Sequence, residues 1–478
     1  MERALRGLIE DYFVLKAGEP LPSECSLRDM DYGSAYRFLQ SLSQDSPNWM
    51  LLRHIVAEVR PGTDLGLLSD DELLHQLSQW VASGELKIGA TPQIRVVASS
   101  DRSEATTDDK KGEAPRQYQV VKLLKGMMIE VTWGSGIKVS YSKATVPAPH
   151  WRQGLAVADG AGSNRPGVYV LKGKGSDALT VKLRITENKN VSGSATLKGN
   201  LGGLQMEGTS PTAVGEHTVG VKITNLPDSI QRYRGDATWR LDVPDLGSSI
   251  SLDNPTRLEL YVVLDTPASV YDPPGVWTEV LRFLCDKVGV IGMKMPKDVA
   301  AQISKHCHSS HGLKYDTFSG APAYGCGGGG GVFQLNSYIV AAKTVVNCYD
   351  QAGAIQSLCG AVGVKLTWYY LDPYGFIKTT NLVGIGACNN PFFSSNGSSA
   401  VMPVDDPKRT AFGNHAFGGL AGKVLDACAG PHTGGEDKAQ YCAAAIDSAT
   451  TLYGLYGGGF RAGMAGDIAE PGGVSKVV

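Results

Sequence analysis

Asn347-Cys348-Tyr349-Asp350-Gln351-Ala352 decides how the last third of this chain is read. Asn347 is a good N-cap residue, and Asp350 stands three residues later as a partial capping box. Ala352, Ile355, Leu358 and Val362 then recur at helical spacing, and Gly363 is placed to end the helix. Cys348 is therefore expected as the first helical residue. There its sulfur lies near unpaired backbone N–H groups and the positive end of the helix dipole, which favour a thiolate. The same N–H groups offer half of an oxyanion hole. The competing reading is a cysteine that is simply buried in a helical core.

His415-Ala416-Phe417 and Asp426, farther along, tilt the balance toward chemistry. Phe412 to Leu420 reads as a strand, Ala421-Gly422 as a turn, and Lys423 to Cys428 as a second strand. A two- or four-residue loop would close the hairpin. The wider register sets His415 opposite Asp426, and the tighter one leaves them diagonal on one face. Either lets the carboxylate reach the imidazole, since opposite residues lie roughly 4.5–5.5 Å apart at Cβ. An acid that orients an imidazole, which in turn deprotonates a thiol, is the general form of the catalytic triad.

The order Cys348, His415, Asp426, with a His-Ala-aromatic strand followed by Lys423-Val424-Leu425-Asp426-Ala427, resembles the transglutaminase-like branch of the papain-like cysteine enzymes. In that family the histidine strand commonly reads His-Ala-Trp; here the aromatic is Phe417. The resemblance covers Tyr315 to Pro431. It implies acyl transfer through a thioester and leaves the acceptor open among proteases, amidases, deamidases and transglutaminases. The family's second oxyanion donor has no clear counterpart, and Gln334 and Asn336 are the candidates.

Other residues compete for attention. His432, after Pro431 in a presumed loop, is an alternative base. Gly327 to Gly331 lacks the Lys-Ser/Thr ending of a phosphate loop and reads as a mobile loop at the cleft edge. His306-Cys307-His308 with His311 has zinc-ligand chemistry but poor spacing, because adjacent side chains do not converge on one ion. It reads as a polar loop, and neither metal nor cofactor is expected.

A chain of 478 residues has room for about three domains. A net charge of −2 gives no electrostatic case for nucleic acid. Nine cysteines without paired spacing argue against a disulfide framework. Met1 to Lys16 is charged at Glu2, Arg3, Arg6, Glu10 and Asp11 and does not read as a signal peptide; no apolar run is long enough to span a bilayer.

The expected fold class is multidomain. Residues 1–98 read as an α-helical N-terminal domain with a capping box at Ser69-Asp70-Asp71-Glu72, suited to docking or delivery. Residues 99–117 are a flexible polar linker. Residues 118–272 alternate apolar and polar between turn residues, as in a β-sandwich that acts as spacer or scaffold. Residues 273–478 form the α+β papain/transglutaminase-like domain that the resemblance implies.

The expected activity is a cysteine amide hydrolase acting on a protein or peptide substrate. Transglutaminase chemistry, or a non-catalytic interaction protein on a degenerate enzyme fold, are the alternatives. The modular layout is also similar to bacterial effector toxins exported by contact-dependent machines such as type VI secretion. That similarity implies a cytoplasmic location in the producing cell before export. It adds a secretion-machine component and an immunity or inhibitor protein as partners.

Overall fold

The computed structural model describes residues 122–141, 143–154, 165–253, 256–372, 375–393, 412–445, 447, 451–452, 460–461 and 472–478. The helical domain expected over 1–98 and the linker over 99–117 lie outside the described residues. Within them, strand predominates over helix, which overturns the expected fold class. Residues from Val121 to Val478 make one compact unit.

The N-terminal half of this unit is a ten-stranded sheet. Its strands are β1 (Leu123–Trp133), β2 (Trp151–Arg152), β3 (Gly167–Val170), β4 (Ala178–Lys189), β5 (Ser194–Leu201), β6 (Leu204–Pro211), β7 (Gly215–Ile223), β8 (Gln231–Val243), β9 (Ser248–Ser251) and β10 (Thr256–Val263). They are hydrogen-bonded in the order β2-β1-β4-β7-β6-β5-β8-β10-β3, with β9 also paired to β8. Apolar residues alternate along β4 and β8: Leu179, Val181, Leu183 and Ile185 of β4 are buried, and so are Ala237, Trp239, Leu241 and Val243 of β8, whereas β3 and Leu258–Val263 of β10 are buried at successive residues. Period-two alternation fills one face only.

Strand β8 divides its pairing along its length: Gln231–Ala237 pair with β10, and Thr238–Asp242 pair with β5. Strand β1 also meets the segment between β9 and β10. The Asp253 N–H, between β9 and β10, donates to the Gly126 carbonyl at 3.1 Å, and the Met128 N–H donates to the Asp253 carbonyl at 3.4 Å.

The C-terminal half contains α1 (Thr278–Phe283), α2 (Pro296–Ser309), β11 (Gly330–Phe333), α3 (Cys348–Ala361), β12 (Thr367–Leu371), β13 (His415–Leu420), β14 (Lys423–Asp426), β15 (His432–Asp437), α4 (Lys438–Ala445) and β16 (Gly473–Val477). Strands β12-β13-β14-β15 form an antiparallel sheet in that order. Helix α3 packs on β13. A Cβ added at Gly418 would stand 2.9 Å from Ile355 Cδ1, so glycine lets strand and helix approach closely.

The halves are joined through β10 and α3. The Leu264 N–H donates to the Val362 carbonyl at 3.1 Å, the Ala268 N–H to the Gly360 carbonyl at 2.8 Å, and the Tyr271 hydroxyl to the Ser357 carbonyl at 2.8 Å. Beside this seam the fully buried Glu259 accepts from Arg282 Nη2 at 2.6 Å, Arg232 Nη2 at 3.0 Å and the Tyr261 hydroxyl at 2.6 Å. Burial works against its charge, but the Arg282 and Tyr261 hydrogen bonds and the two arginine charges hold its pKa below the ordinary carboxylate value.

Two loop expectations give way. Gly330 and Gly331 are not part of a mobile edge: they belong to β11, which pairs in parallel with the C-terminal strand β16. The His306-Cys307-His308 run is not a loop but the last turns of α2.

Candidate active site

The site starts at the N-terminus of α3. The Asn347 side chain accepts from the Asp350 N–H at 3.1 Å, and Asp350 Oδ2 accepts from the Asn347 N–H at 3.1 Å, so the capping box is complete. Asp350 is fully buried and also accepts from the N–H groups of Ala323 at 2.7 Å and Tyr324 at 2.8 Å. Asn347 Nδ2 donates to the Gly320 carbonyl at 3.0 Å. The loop over 320–324 is thereby tied to the helix start, and Cys348 is the first residue of α3, as the capping pattern predicts. Its side chain is largely buried, with 7% of the residue exposed.

His415 opens β13 and Asp426 ends β14. The hairpin takes the tighter register, Leu420 opposite Lys423, across Ala421 (φ 50°) and Gly422 (φ 77°). Two successive positive φ values close a two-residue turn. His415 and Asp426 are thus diagonal on one face. His415 Nε2 hydrogen-bonds Asp426 Oδ2 at 2.8 Å, with both residues buried. Cys348 is close enough to the imidazole to help raise its pKa.

Electrostatics match this geometry. Burial alone would lower the His415 pKa, but the Asp426 charge and hydrogen bond, with the Cys348 contact, raise it to about 10. Burial alone would raise Asp426, but His415 brings it down to about 2, aided by His432 and by the Tyr441 hydrogen bond. The ring therefore carries a proton at neutral pH.

Asp426 is held on every side. Its Oδ1 accepts from the N–H groups of Cys428 at 2.7 Å and Ala429 at 3.2 Å, and its Oδ2 also accepts from the Tyr441 hydroxyl at 2.7 Å. Sequence reasoning missed Tyr441. A signal for it exists in Asp437-Lys438-Ala439-Gln440. The Gln440 N–H donates to Asp437 Oδ1 at 2.9 Å, and the Asp437 N–H donates to Gln440 Oε1 at 2.9 Å. That reciprocal cap starts α4 and places Tyr441 on its first turn.

The other candidates fall elsewhere. His432 lies on β15, not in a loop, paired opposite Asp426, and its Nδ1 contacts Glu436 Oε2 at 2.6 Å. It supports the carboxylate electrostatically and is not bonded to the thiol. Gln334 is exposed at the N-cap of the short helix Leu335–Ile339, and Asn336 is exposed within it. His308 and His311 are engaged with backbone carbonyls, of Asn381 at 2.8 Å and Tyr338 at 2.7 Å. Among the described residues no group of three His, Cys, Asp or Glu side chains is arranged to hold a metal ion.

Aromatic rings surround the thiol end of the site. Tyr349 stacks at a tilt near Tyr370, with centroids 6.3 Å apart, and its hydroxyl donates to Asn414 Oδ1. Tyr315, Phe392 and Phe412 form a second cluster, Phe392 and Phe412 being 5.3 Å apart.

No protein-family model and no curated protein matches the chain. Among solved structures it is similar to a red sea bream transglutaminase, at 12% identity and a TM-score of 0.31. The similarity spans 62% of this chain and 59% of that one, less than two thirds of the transglutaminase's length.

Proposed function

We propose that the C-terminal half is a cysteine-nucleophile amide hydrolase acting on a protein or peptide. The observation that carries this reading is the buried chain from Cys348 through His415 to Asp426, with the sulfur at a capped helix start. The proton that Cys348 gives up rests on His415. The Cys348 sulfur attacks the amide carbonyl carbon, forming a C–S bond, and the carbonyl electron pair moves onto oxygen. N–H groups at the start of α3 face the resulting oxyanion. His415 protonates the amide nitrogen, the C–N bond breaks, and an amine leaves a thioester. His415 then takes a proton from water, whose oxygen displaces the sulfur to give a carboxylic acid. Asp426 holds the ring in place through both steps and stabilises its charge.

The exported-effector setting remains part of the proposal, supported by the modular layout of the sequence alone. The test is to incubate the full chain with a cell extract in ¹⁸O-labelled water containing a labelled primary amine. New carboxyl groups carrying ¹⁸O that vanish with Cys348→Ala support hydrolysis. Stable Cys348-dependent incorporation of the amine would instead make the enzyme a transglutaminase. No Cys348-dependent change in any protein would reject the catalytic reading.

A further inference from the structure

We propose that Tyr441 is a positioning residue for the Asp426–His415 pair, its hydroxyl fixing the one carboxylate oxygen that holds the imidazole. The inference rests on the catalytic reading of Cys348, His415 and Asp426 and extends it to a fourth side chain from a separate helix.

The geometry supplies the reason. An ionised carboxylate offers about four lone-pair sites, and Asp426 has donors for four. The two on Oδ1 are backbone N–H groups, from Cys428 at 2.7 Å and Ala429 at 3.2 Å, immediately after the strand that carries the aspartate. They anchor one oxygen to the local chain. The two on Oδ2 are side chains, His415 Nε2 at 2.8 Å and the Tyr441 hydroxyl at 2.7 Å. Without Tyr441 the orientation of Oδ2 would depend on the imidazole it is meant to orient.

Tyr441 is itself well fixed. It is fully buried, on a helix closed by the Asp437–Gln440 cap. Its ring lies 4.7 Å from Phe417 and edge-on to His432 at 4.8 Å, centroid to centroid. Among the described residues, the titratable groups facing the pair are Cys348 on the His415 side, and His432 (held by Glu436), Cys428 and Tyr441 on the Asp426 side. Tyr441 is a neutral donor, so it disperses charge from the Asp426 oxygen without adding any. It therefore moderates how strongly the carboxylate holds the imidazolium proton.

The experiment uses Tyr441→Phe in the full chain, which keeps both ring contacts and removes only the donor. Histidine is ¹³C-labelled, and the His415 signal is identified among the nine histidines by its loss in His415→Ala. In Tyr441→Phe the His415 ring is expected to hold its proton to higher pH than in the native chain. Turnover of Cys348-dependent amide hydrolysis is expected to fall about tenfold at unchanged KM, the scale of one lost hydrogen bond to a charged group. A His415 titration superimposable on the native one overturns the proposal, even if the variant melts earlier, because Tyr441 would then be a packing residue. A displaced titration in a chain with no Cys348-dependent hydrolysis upholds the positioning role and overturns the catalytic reading.

Discussion

At the scale of single residues, Asp426 and His415 are costly to bury apart and stable together. The signs of their pKa shifts define a pH window. His415 is raised from 6.5 to about 10, so its contribution to stability is complete below about 6.5 and is lost as pH rises through about 10. Asp426 is lowered from 3.8 to about 2, so its contribution is present above about 3.8 and is lost as pH falls through about 2. Asp426→Asn should remove both effects, narrowing its stability deficit relative to the native chain at either extreme of pH. Its rate of amide hydrolysis should fall on the order of 10³–10⁴-fold, the size seen when a triad acid is neutralised. Urea unfolding across pH and steady-state kinetics check the two halves of the prediction. Cys348, His415 and Asp426 could be singled out in the sequence because each sits at a recognisable element boundary: a helix cap, a strand start and a hairpin. Tyr441 was not, because an aromatic residue on a short helix usually means packing, and only its partner 15 residues upstream gives it a role.

At the scale of elements, the start of α3 is a knot tied by one carboxylate. Asp350 satisfies three backbone N–H groups, its own cap partner Asn347 and two from the preceding loop. Asp350→Ala should therefore cost more than a simple cap, about 3 kcal/mol, because buried donors are left without acceptors. Thermal unfolding measures the loss, and hydrogen exchange at Ala323 and Tyr324 should rise ahead of the rest of the domain; native exchange there would argue against the knot. The capping box could be read from Asn347 and Asp350 alone, but the loop that shares the carboxylate could not. The hairpin is similar: the sequence allowed two registers, and the positive φ values at Ala421 and Gly422 select the tighter one. The glycine run was misread for a different reason. Its partner strand lies some 140 residues away, and a Cβ on Gly330 would fall 1.9 Å from the Gly473 carbonyl oxygen. Here glycine marks close approach of two backbones, a pairing with no local signature.

At the scale of the whole molecule, Glu259 ties the large sheet to α1 of the C-terminal half through Arg282. Alternation along strands such as β4 and β8 was legible. It could not show that β8 divides its pairing between β10 and β5, because alternation records which face is buried and not which strand lies alongside. Nor did it reveal Glu259, a charge set between apolar neighbours in a strand, whose partners Arg232 and Arg282 come from β8 and α1. Glu259→Gln should leave two arginines facing a neutral amide and destabilise the unit by about 3 kcal/mol. The folded pKa of Glu259 is lowered, so its contribution is present above the ordinary glutamate value of 4.5 and fades as pH falls through the lower folded value. The difference between native and variant chains should shrink on acidification below pH 4.5; a difference that stays constant would show that Glu259 does not carry that tie.

The most direct test of the central claim is a competition between two cysteines in the full chain. Cys442 is partly exposed, whereas Cys348 is largely buried. If exposure governed reactivity, iodoacetamide at neutral pH would alkylate Cys442 first. If Cys348 is the nucleophile that His415 serves, Cys348 reacts first despite its burial, and His415→Ala abolishes the preference. Peptide mapping after acid quench reads both rates at once. Faster labelling at Cys348, dependent on His415, is the result predicted here; labelling that follows exposure, with Cys442 ahead and His415 irrelevant, would contradict it.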